Sequence, residues 1–137
     1  MSATNPDRSR PRSPALAGAA GPQVVRGRIH FDPATRLPPA ATAYVRILDT
    51  TECDAPSTVL GEQVIRDIGS QLQQGLPLRF GVEAVAFNAN ASLRLNVLVD
   101  VDGDGQVGRG DFITMQSYPV LTYGYPDEVD VVVRQVQ

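Results

Sequence analysis

The stretch Val24-Val-Arg-Gly-Arg-Ile-His-Phe31 alternates between two kinds of residue. Small or apolar residues occupy every second position, at Val25, Gly27, Ile29 and Phe31. Basic side chains occupy the positions between them, at Arg26, Arg28 and His30. Because successive side chains of a β-strand point to opposite faces, this period of two predicts a half-buried strand.

The same alternation recurs downstream. It predicts further strands at residues 42–49, 59–66, 77–83, 91–99, 112–115, 118–122 and 129–136. Proline and glycine punctuate the loops between them, and no long amphipathic helix is predicted. Short strands at this spacing indicate an all-β fold. We expect an antiparallel β-sandwich of seven or eight strands, of immunoglobulin-like or transthyretin-like kind.

The composition limits what such a domain can do. The 137 residues fit one domain, and no apolar run approaches the ~18 residues that a membrane-spanning helix needs. All 12 basic residues are arginine, and the net charge is −3. Because three of these arginines lie near the N-terminus, the rest of the chain is more acidic than the total implies. This balance argues against nucleic acid as a partner.

Residues 1–22 differ from the rest of the chain. They are rich in proline, serine, alanine and arginine and have no hydrophobic period, which predicts a disordered tail before a folded domain at 23–137. Within the tail, residues 14–21 are too few and too weakly apolar for a secretory signal, and no cysteine precedes Cys53 to accept a lipid. As written, the sequence predicts a cytoplasmic protein, unless an export signal lies upstream.

We expect no enzymatic activity. The sequence contains no phosphate-binding loop, redox Cys-X-X-Cys pair or histidine cluster. Its one histidine, His30, falls on the polar face of the first strand. Its one cysteine, Cys53, has acidic neighbours that disfavour a reactive thiolate, and a lone cysteine excludes an intrachain disulfide.

The segment Asp100-Val-Asp-Gly-Asp-Gly-Gln-Val-Gly-Arg-Gly-Asp111 has the most specific chemical pattern. In the numbering of a twelve-position calcium loop, carboxylates stand at positions one, three, five and twelve, which are Asp100, Asp102, Asp104 and Asp111. Gln106 at position seven would offer its backbone carbonyl, and Gly108 at position nine would offer a water-mediated ligand.

This spacing suits Ca²⁺, because alternate residues of a tightly curled chain point into one hollow and the ion takes six to eight oxygen ligands. We therefore expect one calcium ion at this loop. The loop follows a strand and ends in Asp where an EF-hand has Glu, so the domain is not an EF-hand. Two alternatives remain open. One is a solvated Asp-Gly hairpin loop without metal, and the other is magnesium, which is less favoured because it demands octahedral geometry.

Six short segments carry a family resemblance. They are Val25-Arg-Gly-Arg-Ile29, Leu37-Pro-Pro-Ala-Ala-Thr42, Val45-Arg-Ile-Leu-Asp49, Ala55-Pro-Ser-Thr-Val59, Pro77-Leu-Arg-Phe80 and Ser117-Tyr-Pro-Val-Leu-Thr122. In their order and spacing the chain resembles the YbaY-type lipoproteins and the YscW pilot, or chaperone, lipoproteins of type III secretion. The resemblance implies a β-sandwich at the periplasm or cell envelope. In secretion-associated members it also implies a role in localising and assembling an outer-membrane secretin.

Two functions are compatible with these features. The preferred interpretation is a binding or chaperone module that receives a partner peptide on an exposed sheet face or edge strand. By the resemblance, the partner would be a secretin or another envelope protein. The alternative is a calcium-stabilised structural or adhesive module whose loop stiffens the fold without contacting a client. The sequence leaves the client and the oligomeric state open.

Overall fold

A computed structural model describes residues 19–20, 23–52 and 54–137. In these residues it contains nine β-strands and one short helix. In chain order they are β1 (Ala19–Ala20), β2 (Gln23–His30), β3 (Thr42–Asp49), β4 (Thr58–Ile65), α1 (Ile68–Gln73), β5 (Leu78–Ala84), β6 (Phe87–Asn88), β7 (Leu93–Asp100), β8 (Phe112–Thr114) and β9 (Val131–Gln135). The predicted all-β class is confirmed, since the helix covers only six residues.

Seven of these strands form one sheet, in the order β4-β3-β7-β8-β9-β2-β5. Neighbouring strands run antiparallel except β9 and β2, which run parallel with Val131 beside Ile29. The two-residue strands β1 and β6 form a separate antiparallel pair. The main sheet is therefore mixed, and its order places the last strand of the chain beside the first long one.

The main sheet curls until its two outer strands, β4 and β5, meet. The amide of Val85, just after β5, donates a hydrogen bond to the carbonyl oxygen of Leu60 in β4 at 3.2 Å. A β-carbon at Gly61 would lie 1.9 Å from the carbonyl oxygen of Glu83, so only glycine allows this close an approach. The sheet is thereby nearly closed into a barrel.

Aliphatic and aromatic side chains fill the interior of this sheet. They come from alternate positions of the strands: Val25 and Ile29 of β2, Ala43, Val45 and Ile47 of β3, Leu78, Phe80 and Val82 of β5, Leu93, Leu95, Val97 and Val99 of β7, and Val131 and Val133 of β9. The polar face predicted for the first strand is confirmed, because Arg26, Arg28 and His30 are exposed.

Helix α1 lies between β4 and β5 in the chain and adds one fully buried side chain, Ile68, to the core. The amide of Ile68 donates to the carbonyl oxygen of Ala41 at 3.0 Å. A β-carbon at Gly69 would lie 2.0 Å from the carbonyl oxygen of Pro38, so the helix backbone packs directly on the proline-rich loop. In the part of the chain that the structure describes, no longer helix occurs, as predicted.

Two expectations about the strands need correction. The antiparallel sandwich of immunoglobulin-like or transthyretin-like kind is not confirmed, because a single seven-stranded sheet forms and the β9–β2 pairing makes it mixed. The strand predicted at 118–122 is wrong, since this segment makes only one isolated bridge, between Pro119 and Arg94. Leu121 and Tyr123 have φ angles of 70° and 56°, which turn the chain where a strand would continue.

Two predictions fall on parts of the chain outside this description. The predicted disorder of residues 1–22 lies outside the described residues, apart from β1, whose backbone pairs with β6. Cys53 also lies outside them. Among the residues that are described, no helix is long and apolar enough to cross a membrane.

Candidate functional site

The acidic loop, residues 100–111, joins two neighbouring antiparallel strands. Strand β7 ends at Asp100, and β8 begins one residue after Asp111. Val99 pairs with Phe112, so the hairpin brings the two ends of the loop side by side. Both end carboxylates are buried, with Asp100 4% exposed and Asp111 0% exposed.

The carboxylate of Asp100 is enclosed by the first turn of the loop. Its Oδ1 accepts a hydrogen bond from the amide of Gly103 at 3.0 Å, and its Oδ2 accepts one from the amide of Gly105 at 2.8 Å. Both glycines have positive φ angles, 80° and 74°, which other residues rarely adopt. The Asp-Gly-Asp-Gly sequence therefore curls the chain around this carboxylate.

The carboxylate of Asp111 ties the two ends of the loop together. Its Oδ1 accepts from the amide of Val101 at 2.8 Å, and its Oδ2 accepts from the amide of Gly108 at 3.0 Å. Among the described residues Asp111 forms no ion pair. These two backbone amides are therefore what offsets the cost of burying its charge.

The two remaining carboxylates, Asp102 and Asp104, are exposed. Asp102 accepts a hydrogen bond from the amide of Asp104 at 3.3 Å, and Asp104 accepts one from the amide of Gln106 at 2.9 Å. These contacts are the local side-chain-to-backbone bonds that aspartate makes in turns. They hold both exposed carboxylates within the curl of the loop.

The structure brings the four predicted carboxylates together. One oxygen from each of Asp100, Asp102, Asp104 and Asp111 lies within 4.8 Å of the others. Oxygen donors suit a hard cation, and a carboxylate oxygen that accepts one amide keeps a further lone pair. The donor set therefore fits Ca²⁺. Binding of the ion, and the part that the backbone carbonyl of Gln106 would play in it, stay predictions.

Burial, hydrogen bonds and neighbouring carboxylates shift the pKa values of Asp100 and Asp102 in opposite directions. Burial raises the pKa of Asp100, but hydrogen bonds from Gly105, Asp102, Gly103 and Asp104 outweigh it, so this pKa lies below its ordinary value. The amide of Asp104 lowers the pKa of Asp102, but the carboxylates of Asp100 and Asp104, together with desolvation, raise it above its ordinary value. A cation bound among these groups would relieve their repulsion.

A second polar feature lies on the outer face of β2 and β5. Their register places Arg28 directly opposite Arg79, and Arg26 opposite Gly81. Together with residues 128–130, these strands border an open groove of about 600 Å³, which we call the arginine groove. The sequence pattern predicts Arg26 and Arg28 only as the polar face of a strand. Only the pairing of β2 with β5 brings Arg79 beside them.

Asp130 anchors one side of the arginine groove. Its Oδ1 accepts a hydrogen bond from the amide of Arg28 at 3.2 Å. Its Oδ2 lies 3.2 Å from the guanidinium of Arg28 and 3.3 Å from Nε2 of His30. These partners, His30 first among them, hold the pKa of Asp130 below its ordinary value. His30 is exposed, as predicted, and its partner on this surface is the carboxylate of Asp130.

The family model for YscW, the type III secretion system lipoprotein chaperone, matches residues 21–133. The chain belongs to this family. Among solved structures, an alternative pilotin from the type II secretion system of Vibrio cholerae is similar, with 25% sequence identity and a TM-score of 0.66. That match covers 85% of this chain and 98% of the pilotin chain. No curated protein matches the sequence.

The predicted resemblance to the YscW lipoproteins is therefore confirmed. The matched range, residues 21–133, includes both the acidic loop and the arginine groove. The family is described as one of lipoprotein chaperones, which associates it with the cell envelope. Since a chaperone acts on another protein, membership implies a protein partner.

Proposed function

We propose that this protein is a non-enzymatic, secretion-associated chaperone that binds a secretin at the periplasm or cell envelope. The observation that carries this proposal is the likeness to a pilotin over 98% of that chain, at a TM-score of 0.66. A match of this extent involves the whole domain and not one common strand motif. The family match over residues 21–133 supports the same function independently.

The outer strands of the main sheet offer a place where an extended partner segment could pair. Strands β4 and β5 are its edges, and among the described residues one backbone hydrogen bond, from Val85 to Leu60, joins them. A second link comes from a side chain, since the amide of Gly81 donates to Oε1 of Gln63 at 2.9 Å. We call this junction the seam. Because so few bonds join β4 and β5, a partner segment can part the two strands and add to a freed edge, where backbone hydrogen bonds supply affinity.

Exposed apolar side chains border the seam. Val59 in β4 is 51% exposed, and Val85 just after β5 is 56% exposed. Valine at an unpaired edge favours association with another extended chain. We therefore expect the secretin segment to pair along the seam and to cover these two side chains.

Binding of the purified chain to the secretin encoded in the same genome tests this function. Calorimetric titration should show saturable binding, and co-expression should increase the share of the secretin that assembles into outer-membrane multimers. Joint Val59→Lys and Val85→Lys substitutions should weaken binding by about tenfold or more, because charge at the seam opposes pairing.

Met115→Lys is the matched control for these two lysine substitutions. Met115 is 55% exposed and follows β8, which lies at the centre of the strand order and away from the seam. This variant should bind the secretin as the parent does. No binding by the parent chain would refute the proposed function. Equal binding by the parent and the double variant would show that the secretin does not bind at the seam.

We further propose that the acidic loop binds one Ca²⁺ ion, which stiffens the fold. Asp100, Asp102, Asp104 and Asp111 would supply carboxylate oxygens, and Gln106 would supply its backbone carbonyl. The support for this proposal is the spacing of the calcium loop together with the approach of the four carboxylates to within 4.8 Å. The role is structural, because no reacting group accompanies the carboxylates among the described loop residues.

Thermal melting with and without calcium chloride, alongside calorimetric titration, tests the calcium proposal. Extracellular calcium modules bind at ~10⁻⁴–10⁻³ M. Calcium at about ten times Kd should add roughly 1.4 kcal/mol, which raises the melting temperature by several degrees. Asp104→Asn should abolish this rise, whereas Asp54→Asn, which removes an exposed carboxylate outside the loop, should retain it. If several millimolar calcium produces neither a rise nor heat with the parent, the loop is only an acidic turn.

The second candidate function is a calcium-stabilised structural or adhesive module without chaperone activity. The convergence of the four loop carboxylates is the observation that favours it. Strong stabilisation by calcium without any binding to the secretin would support this candidate. Binding to the secretin at the same affinity with and without calcium would support the chaperone.

A further inference from the structure

The arginine groove holds more positive charge than its own residues neutralise. Arg28 pairs with Asp130, but neither Arg26 nor Arg79 lies within ion-pair distance of a carboxylate among the described residues. Arg79 also stands directly opposite Arg28, and like charges in this position destabilise an antiparallel pair. No contact within the described chain offsets this repulsion, and an anionic ligand would.

The three arginines share one face of the sheet. Arg26 and Arg28 are two residues apart on β2, which is roughly 7 Å along an extended chain. Arg79 adds a third guanidinium across from Arg28. A β-carbon at Gly81 would meet only Cγ of Arg26 at 3.9 Å and Cγ1 of Val24 at 4.0 Å. The space beside Arg26 is therefore open.

We propose that the arginine groove binds an acidic, extended segment of the partner protein, with carboxylates on alternate residues. Alternate side chains of an extended segment lie on one face, roughly 7 Å apart. This spacing is close to the roughly 7–8 Å between diagonal cross-strand neighbours such as Arg26 and Arg79. Guanidinium groups bind carboxylates through paired hydrogen bonds of matching geometry. This inference rests on the proposed chaperone function and gives the partner segment a chemical class.

Strand β5 borders both the groove and the seam. Its residues Arg79 and Phe80 line the groove, and the amide of the next residue, Gly81, donates to Oε1 of Gln63 in the seam. A segment paired along the edge of β5 would therefore run beside Arg79. The opposite wall of the groove includes Glu128 and Asp130, whose charges would repel a dense layer of lipid phosphates. A peptide with spaced acidic residues fits this wall better than an anionic membrane does.

Fluorescence anisotropy of the full chain with a labelled peptide of alternating Asp and Ser tests the proposal. The peptide should bind, should bind less as salt is raised, and should not bind when its Asp residues are replaced by Asn. Arg79→Glu should weaken binding by about tenfold or more. Arg94→Glu, which reverses an exposed arginine on β7 outside the groove, should bind as the parent does. Because Arg79→Glu removes the like-charge pair, its melting temperature should not fall, which separates lost binding from lost fold.

Titrations with the secretin distinguish failure of this inference from failure of the chaperone function. If the secretin binds the parent and Arg79→Glu equally, the groove proposal is overturned and the chaperone function stands. If the parent binds the acidic peptide but not the secretin, the groove proposal is supported and the chaperone function is refuted. If the parent binds phosphatidylglycerol vesicles but not the acidic peptide, the groove is a membrane contact and the peptide proposal is overturned.

Discussion

Replacing Gly61 by alanine should open the seam between β4 and β5. The added β-carbon would lie 1.9 Å from the carbonyl oxygen of Glu83 and 2.9 Å from its carbonyl carbon. Ordinary van der Waals contact begins at 3.4 Å, so β5 would have to move away from β4 by about 1.5 Å. Because the atoms in the way belong to the backbone, no side-chain rotation relieves the clash, and the two strands must separate.

The cost of this separation has two parts. Overpacking against a rigid neighbour typically costs about 1–3 kcal/mol. This movement also breaks the hydrogen bond of 3.2 Å from the amide of Val85 to the carbonyl oxygen of Leu60, which costs roughly 0.5–1.5 kcal/mol. The free energy of unfolding of Gly61→Ala should therefore fall by about 1.5–4.5 kcal/mol. Gly81→Ala is the matched control, since its β-carbon meets nothing closer than 3.9 Å, and it should be neutral or stabilising by about 0.4–1 kcal/mol.

Urea denaturation followed by circular dichroism measures both variants against the parent. Equal m-values would show that the three chains expose the same surface on unfolding, so that their midpoints can be compared. The melting temperature of Gly61→Ala should drop by roughly 10 °C or more. If Gly61→Ala and Gly81→Ala both unfold within about 0.5 kcal/mol of the parent, β4 and β5 do not pack together, and the nearly closed sheet is refuted.

Three further substitutions test other parts of the structure. Ile68→Ala should cost about 2–5 kcal/mol, because a fully buried side chain leaves a cavity. A melting temperature equal to the parent's would place α1 outside the core. Thr122→Val should cost about 1–3 kcal/mol in urea, because the carbonyl of Ala91 loses the hydroxyl that donates to it at 2.7 Å, and Thr122→Ser should cost less. Asp130→Asn should reduce the loss of stability in acid. The pKa of Asp130 is depressed in the folded state, so its stabilisation is present above the ordinary value of 3.8 and is lost as pH falls through the lower folded value. Identical melting temperatures of parent and Asp130→Asn across this acid range would contradict the ion pair.

The positions and faces of most strands could be predicted from the sequence because alternation is a local property. Strand β3 spans the predicted residues 42–49 and buries Ala43, Val45 and Ile47 as expected. The grouping of four carboxylates is also local, since all of them lie within twelve consecutive residues and glycines curl the chain between them. In both cases the residues that interact are close in sequence.

The alternation of apolar and polar residues gave a wrong prediction where apolar residues are buried without forming a strand. Residues 118–122 alternate as a strand would, and Val120 is fully buried. The backbone nevertheless turns at Leu121, whose φ is 70°, and the amide of Leu121 donates to Pro126 at 3.1 Å. Burial alone produces such a pattern, and only the backbone conformation distinguishes a turn packed on the core from a strand.

The sequence alone determined the all-β class, the faces of most strands and the content of the acidic loop, because each depends on spacing along the chain. The tertiary structure decided which strands are neighbours. A strand with one apolar face can pair with several others, and the choice depends on how all such faces are buried at once as the sheet curls. Closure through Gly61 formed the seam between β4 and β5, and the pairing of β2 with β5 set Arg79 opposite Arg28. The arginine groove therefore exists only in the folded chain, since its guanidinium groups come from segments that are distant in sequence.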